Sequence, residues 1–156
     1  MAGRLVADLR VRLNAVTSAV AGRERPRVLL LEWTDPPFAP GHWVPEIVDL
    51  AGGVPSLGAP GEKSWRVDWD QARASEPEIV VCAPCGYDLA GASRLAEDLA
   101  GSGELAGLPI WAVDANGSFA RPGPRLVDGV EALAGILHPD ALTAPECLAR
   151  RISPTR

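Results

Sequence analysis

The chain has 156 residues, 47% of them apolar and 22% charged. That is one domain's worth of sequence, with enough apolar mass to build its own core. Fifteen Lys and Arg against twenty Asp and Glu leave a net charge of −5, a balance that argues against nucleic acid as a partner and against general binding to anionic membranes. No apolar run approaches the roughly 18 residues of a membrane-spanning helix. Three cysteines, Cys82, Cys85 and Cys147, are too few and of the wrong parity for a secreted disulfide framework.

Residues 3–22 predict an amphipathic helix, because Leu5, Leu9, Leu13, Val16 and Val20 recur at helical spacing. Charged residues interrupt this stretch throughout, so it does not read as a signal peptide. As it stands, the sequence reads as cytoplasmic. Val28 to Glu32 is a short apolar run with the length of a strand buried on both faces. Trp33 to Trp43 follows, with three prolines and a glycine that exclude a helix or a central strand. Pro45 to Ala51 reads as a helix with proline in its first turn, ended by Gly52-Gly53. A turn-rich strip over 54–61 has room for a very short strand, and a short helix starts near Asp68.

Pro77 to Cys82 is the second buried strand, followed by a loop through Asp88 and a helix from Leu89 to about Leu99. Leu108 to Val113 is the third strand. A Gly- and Pro-rich loop over 114–124 leads to a final helix marked by Leu126, Val130, Leu133, Ala134 and Leu137, which His138-Pro139 closes. The last fifteen residues carry no strong pattern. Strand–loop–helix repeated three times predicts an α/β, Rossmann-like three-layer domain with a mainly parallel sheet. The expected divisions are a helix over 1–24, one α/β lobe over 25–140 and a tail over 141–156. Such sheets bind ligands beyond the carboxyl ends of their strands. The functional loops are therefore those starting at Trp33, Ala83 and Asp114, which are also rich in aromatic, polar, Pro and Gly residues.

Three motifs on these loops are specific. Glu32-Trp33-Thr34-Asp35-Pro36-Pro37-Phe38-Ala39-Pro40-Gly41-His42-Trp43-Val44-Pro45-Glu46, followed by Gly52-Gly53, resembles a signature of cobalamin-type solute-binding proteins. This is the class that serves ABC importers of cobalamin, haem and iron-siderophores. Ala83-Pro84-Cys85-Gly86-Tyr87-Asp88 and Asp114-Ala115-Asn116-Gly117-Ser118-Phe119-Ala120-Arg121-Pro122-Gly123-Pro124-Arg125 resemble the same family. The likeness runs from about residue 27 to residue 139. It implies the second of two lobes, with residues 3–22 similar to the end of the helix that joins them. It also implies a non-enzymatic binder of cobalamin or a related corrinoid or tetrapyrrole, with no covalently bound cofactor. The expected partners are that ligand, an ABC permease, and either a separate first-lobe chain or a second copy of this one. If the chain is a piece of a longer transport protein, its place is extracytoplasmic.

Five Trp against two Phe and one Tyr is a skewed aromatic set. Trp111, inside a strand, reads as core. Trp33 and Trp43 sit on the Pro-rich loop, where the alternatives are core filling and contact with a flat apolar ring. Phe38 and Trp65 resemble ring-contacting positions of the family, and Phe119 is expected at the ligand as well. His42 reads as a loop histidine bonded to backbone or, alternatively, as an axial ligand to cobalt or iron. No full metal-ligand set accompanies it. By resemblance, Asp114, Asn116 and Arg121 hydrogen-bond the amide fringe of the ligand; the alternative is loop capping. Asp70 resembles an acidic permease-docking residue, and the alternative is an acid favoured by a helix dipole. Two further readings stand beside these. One is a thiol-disulfide protein built on Cys82 and Cys85, since Cys-x-x-Cys lies at a strand-to-helix junction. The other is an interaction domain that binds no ligand.

Overall fold

The computed structural model describes residues 2–154. In chain order the elements are α1 (Ala2–Val20), β1 (Arg27–Leu31), β2 (Trp33–Thr34), β3 (Pro37–Ala39), α2 (Val44–Leu50), β4 (Val54–Pro55), β5 (Trp65–Arg66), α3 (Trp69–Ala74), β6 (Ile79–Cys82), α4 (Leu89–Ser102), β7 (Ile110–Val113), α5 (Ala115–Ser118), α6 (Arg125–Leu137) and β8 (Ala149–Ser153).

The apolar runs become a five-stranded sheet in the order β4-β1-β6-β7-β8. β1 pairs in parallel with β4 and β6, and β6 with β7; β8 runs antiparallel on the edge of β7. Alternation along the strands sends side chains to two faces. Val28, Leu30, Val81 and Val113 pack with Val16 and Val20 of α1, Ile47 and Val48 of α2, and Leu133 and Ala134 of α6. Leu29, Leu31, Val80, Cys82 and Ala112 pack with Ala72 of α3 and with Ala92, Ala96 and Leu99 of α4. Two apolar clusters separated by one sheet are the three-layer α/β architecture expected from the sequence. A central strand buried on both faces has no polar side, which is why Leu29 to Leu31 form an unbroken apolar run.

Only the second half of α1 belongs to this core. Residues 2–8 are all exposed, with Leu5 and Val6 nearly half accessible. Arg12 pins the helix to α6 through Asp128 and Glu131.

Three features depart from the sequence reading. Trp33 to Trp43 and the strip after residue 61 contribute a second, three-stranded antiparallel sheet, β2-β3-β5. Its strands are two or three residues long, so the prolines stay compatible with it. Asp114 starts a one-turn helix, α5, within the expected loop. β8 forms inside the stretch read as a patternless tail, with Ala149 and Ile152 buried.

Candidate functional site

β1, β6 and β7 all end at the same edge of the sheet, and the backbone ties their loops together there. The Cys85 amide donates to the Glu32 carbonyl (3.2 Å), joining the second loop to the first. The Asn116 amide donates to the Tyr87 carbonyl (2.8 Å), joining the third to the second. The Trp43 indole N–H donates to the Phe119 carbonyl (2.8 Å), closing the ring from the first loop to the third.

A cleft of about 150 Å³ opens between these loops. Glu32, His42, Trp43, Cys85 and Phe119 line it. Its wall is rigid for a local reason. Gly41 lies against the backbone of residues 62–64, and a Cβ there would come within 2.2 Å of the Ser64 nitrogen. The Gly41 amide donates to the Glu32 carboxylate (3.3 Å), and the His42 amide donates to the Glu62 carbonyl. His42 itself takes a left-handed φ of 55°, an uncommon backbone for a residue with a Cβ. This conformation leaves the imidazole exposed beside Trp43, with ring centres 5.7 Å apart. The histidine is thus a loop residue on a cleft wall, and among the described residues no cluster of three or more metal-ligating side chains accompanies it.

Beside the cleft lies an aromatic platform. Trp33 pairs with Phe38 across β2 and β3, and Phe38 with Arg66 across β3 and β5. Directly paired residues share a face, so this register aligns an indole, a phenyl ring and a guanidinium in one row. Tyr87 reaches Trp33 from the second loop, with ring centres 5.4 Å apart and planes tilted by 57°. Tyr87 is 38% exposed, and Arg66 forms no ion pair among the described residues. Neither residue was selected from the sequence. The available signal was position alone: the chain's one tyrosine precedes the helix cap Asp88 on a carboxyl-edge loop.

The other expected site residues divide. Trp65 pairs with Ala39 and therefore faces away from Trp33 and Phe38; it is 38% exposed but does not extend their platform. Of the four expected aromatics, Trp33 and Phe38 thus share a face, which Tyr87 joins, Trp43 lines the cleft and Trp65 lies apart. Phe119 lines the cleft but is only 2% exposed and packs into the core beneath it, held against Gly129 of α6, and its backbone carbonyl accepts from Trp43. Asp114 caps α5 by accepting from the Gly117 amide (3.1 Å), as the capping alternative has it. Asn116 and Arg121 are exposed on the third loop. Arg121 forms no ion pair among the described residues. Trp111 packs against the core.

Asp70 lies in the first turn of α3, whose start is fixed by a reciprocal cap between Asp68 and Gln71. Its carboxylate is exposed and bound to Arg73 (2.6 Å), which also holds Glu104. Hydrogen bonds to Glu104 and then Asp70 raise the Arg73 pKa.

Neither thiol of the Cys82–Cys85 pair is shifted toward the thiolate. Burial pushes Cys82 up to about 12, because desolvation penalises the thiolate. Cys85 is exposed, and partial burial followed by the charge of Glu32 raises its pKa. Redox cysteines need a depressed pKa; both of these move the other way.

Neither the family models nor the curated proteins give a match to this chain. Solved structures do. A periplasmic heme binding protein from Pseudomonas aeruginosa superposes with a TM-score of 0.76 at 22% identity, over 99% of this chain and 59% of its own. A periplasmic binding protein from Veillonella parvula gives a TM-score of 0.68 at 21% identity, over 88% of this chain and 50% of its own. The periplasmic vitamin B12 binding protein of Vibrio cholerae gives 0.61 at 23% identity, over 84% and 51%. This chain thus spans between half and three fifths of the length of these three proteins. It has the fold of a single lobe of a periplasmic binding protein of the cobalamin, haem and siderophore class.

Proposed function

We propose that this chain is the ligand-binding lobe of an ABC-importer solute-binding protein and that it binds cobalamin or a related tetrapyrrole reversibly, without chemistry. The observation that carries the reading is the knitted carboxyl edge, where the Trp33–Phe38–Tyr87 platform adjoins the cleft of His42 and Trp43. A flat, largely apolar ring system is matched by aromatic faces with a few polar groups at the margin. Arg66 and Arg121, both free of ion pairs among the described residues, are those groups, with the exposed Asn116 of the third loop. The structural neighbours named for heme and for vitamin B12 support the ligand class, and their periplasmic placement supports an extracytoplasmic site of action.

The platform and cleft cover one side of such a ligand. A second surface completes the site: a first lobe, on this or a separate chain, or a second copy of this chain. One lobe alone binds weakly, since half the ligand stays in water. Asp70 is the permease-docking acid in this reading, and a permease arginine would have to displace Arg73 from it. Among the described residues no helix is long and apolar enough to cross a membrane.

The test is quenching of tryptophan fluorescence by hydroxocobalamin, dicyanocobinamide and haemin, with N-acetyltryptophanamide correcting for absorption. Saturable quenching that weakens in Trp33→Ala is expected. Quenching no greater than that of free tryptophan, up to millimolar ligand, contradicts the reading.

A further inference from the structure

A second concavity lies away from the carboxyl edge. It is a groove of about 990 Å³ between α6, the segment that follows it and the β7–β8 edge of the sheet. Its origin is local. The chain after α6 folds back so closely that a Cβ on Gly135 would meet the Ala144 nitrogen at 2.2 Å. This holds residues 142–144 against the helix, and the groove runs between them and the sheet. Ile136, Leu142 and Ala149 supply an apolar lining, and Trp111 lies half-buried along it.

Register adds a charge. Trp111 pairs with Arg151 across β7 and β8, so the indole and the guanidinium share the face that borders the groove. The Nε of Arg151 is buried without a hydrogen-bond partner, alone in this among the side-chain nitrogens and oxygens of the described residues. A buried donor on a charged group that lacks an acceptor is costly. Arg150 also borders the groove, but it pairs with Ala112 and so belongs to the opposite face of the sheet, and one acid, Glu146, lines the groove. Neither arginine forms an ion pair among the described residues. This is an aromatic-walled concavity with one unpaired arginine on the face that borders it, of the size that holds small organic ligands.

We propose that the groove is a second binding site, for a small amphipathic carboxylate whose apolar body lies along Trp111 and Ile136 and whose anionic group accepts from Arg151. An acyl chain and an aromatic acid share this chemistry. The site stands apart from the carboxyl-edge cleft, with which it shares no lining residue, so its fate is independent of the tetrapyrrole reading.

The test is an amide NMR titration of the whole chain with decanoate and, separately, 1-naphthoate, with decanamide as the uncharged control. Shifts concentrated on residues 110–113, 135–144 and 149–153 are expected for at least one of the acids, and the acid that binds distinguishes an acyl from an aromatic occupant. Affinity for that acid should fall at least about tenfold in Arg151→Gln, the loss expected for a hydrogen bond to a charged group. Decanoate, if it is the occupant, should also bind at least about tenfold more tightly than decanamide. Shifts spread over other surfaces, no binding of either acid at millimolar concentration, or unchanged affinity in a folded Arg151→Gln would overturn the proposal. If that variant does not fold, 1-naphthoate against 1-naphthamide and decanoate against decanamide on the unmodified chain decide it: equal affinity of acid and amide refutes the role of Arg151.

Discussion

Trp43→Phe tests whether the three loops act as one structure. The substitution keeps an aromatic ring on the cleft but deletes the indole N–H that donates to the Phe119 carbonyl, 76 residues away. A net hydrogen bond contributes about 0.5–1.5 kcal/mol, and a partly buried carbonyl left unpaired adds to the loss. With the smaller ring, the expected cost is about 1–3 kcal/mol. A domain of this size loses roughly 2–4 °C of melting temperature per kcal/mol, so the midpoint should fall by about 2–12 °C. Trp33→Phe is the matched control. Its indole N–H reaches only the Asp35 carbonyl, two residues away and exposed, and its removal should cost less than about 0.5 kcal/mol. Thermal melts followed by circular dichroism, with urea titrations to verify an unchanged slope, separate the two. Equal losses in both variants would refute the claim that Trp43 is the tie between the first and third loops.

Four further outcomes follow from the same structure. Gly41→Ala should disrupt the cleft, because its Cβ would meet backbone at residues 62–64 rather than a side chain able to turn away; a loss of stability above about 1 kcal/mol, with altered amide shifts at His42 and Trp43, is expected. Asp68→Ala removes one partner of the reciprocal cap on α3 and should cost about 1 kcal/mol, read as a fall in the urea midpoint. Iodoacetamide at pH 8 should label Cys147 and, more slowly, Cys85, while Cys82 stays unmodified in the folded chain; Glu32→Gln removes the charge that raises Cys85 and should speed its labelling. The Cys82 thiol, raised from 9.0 to about 12 in the fold, keeps its proton where the unfolded chain has lost it. Stability should therefore decline above pH 9, by up to about 1.4 kcal/mol per pH unit, and Cys82→Ala should remove that part of the slope. Rapid labelling of Cys82 at pH 8 would contradict its burial.

Much of the fold is legible in the sequence because its physics is local. Val28 to Leu31 and Ile79 to Cys82 are apolar on both faces, which only a central parallel strand requires, and the leucine spacing of α6 marks a helix with one buried stripe. Parallel strands fix which edge carries the loops, so the site's location follows from topology. What is not legible depends on pairing. β8 reads Ala-Arg-Arg-Ile-Ser, with no apolar run, and exists because the edge of β7 accepts it. The β2-β3-β5 sheet joins residues 33–39 to 65–66 through a register that no periodicity encodes. That register decides the site: it turns Trp65 away from Trp33 and brings Arg66 into the aromatic row. Nor does a loop motif reveal that the backbone turns into α5 and packs Phe119 into the core at the cleft floor.

The most direct measurement of the central claim is an amide NMR map of the whole chain titrated with dicyanocobinamide and, separately, with a diamagnetic zinc porphyrin. The account predicts saturable shifts concentrated on residues 33–43, 65–66, 83–88 and 116–121, for at least one of the two, with α3 and α4 unmoved. Shifts that centre on the helical faces, or no shift at the Trp33, Trp43 and Tyr87 amides with either compound, would contradict it.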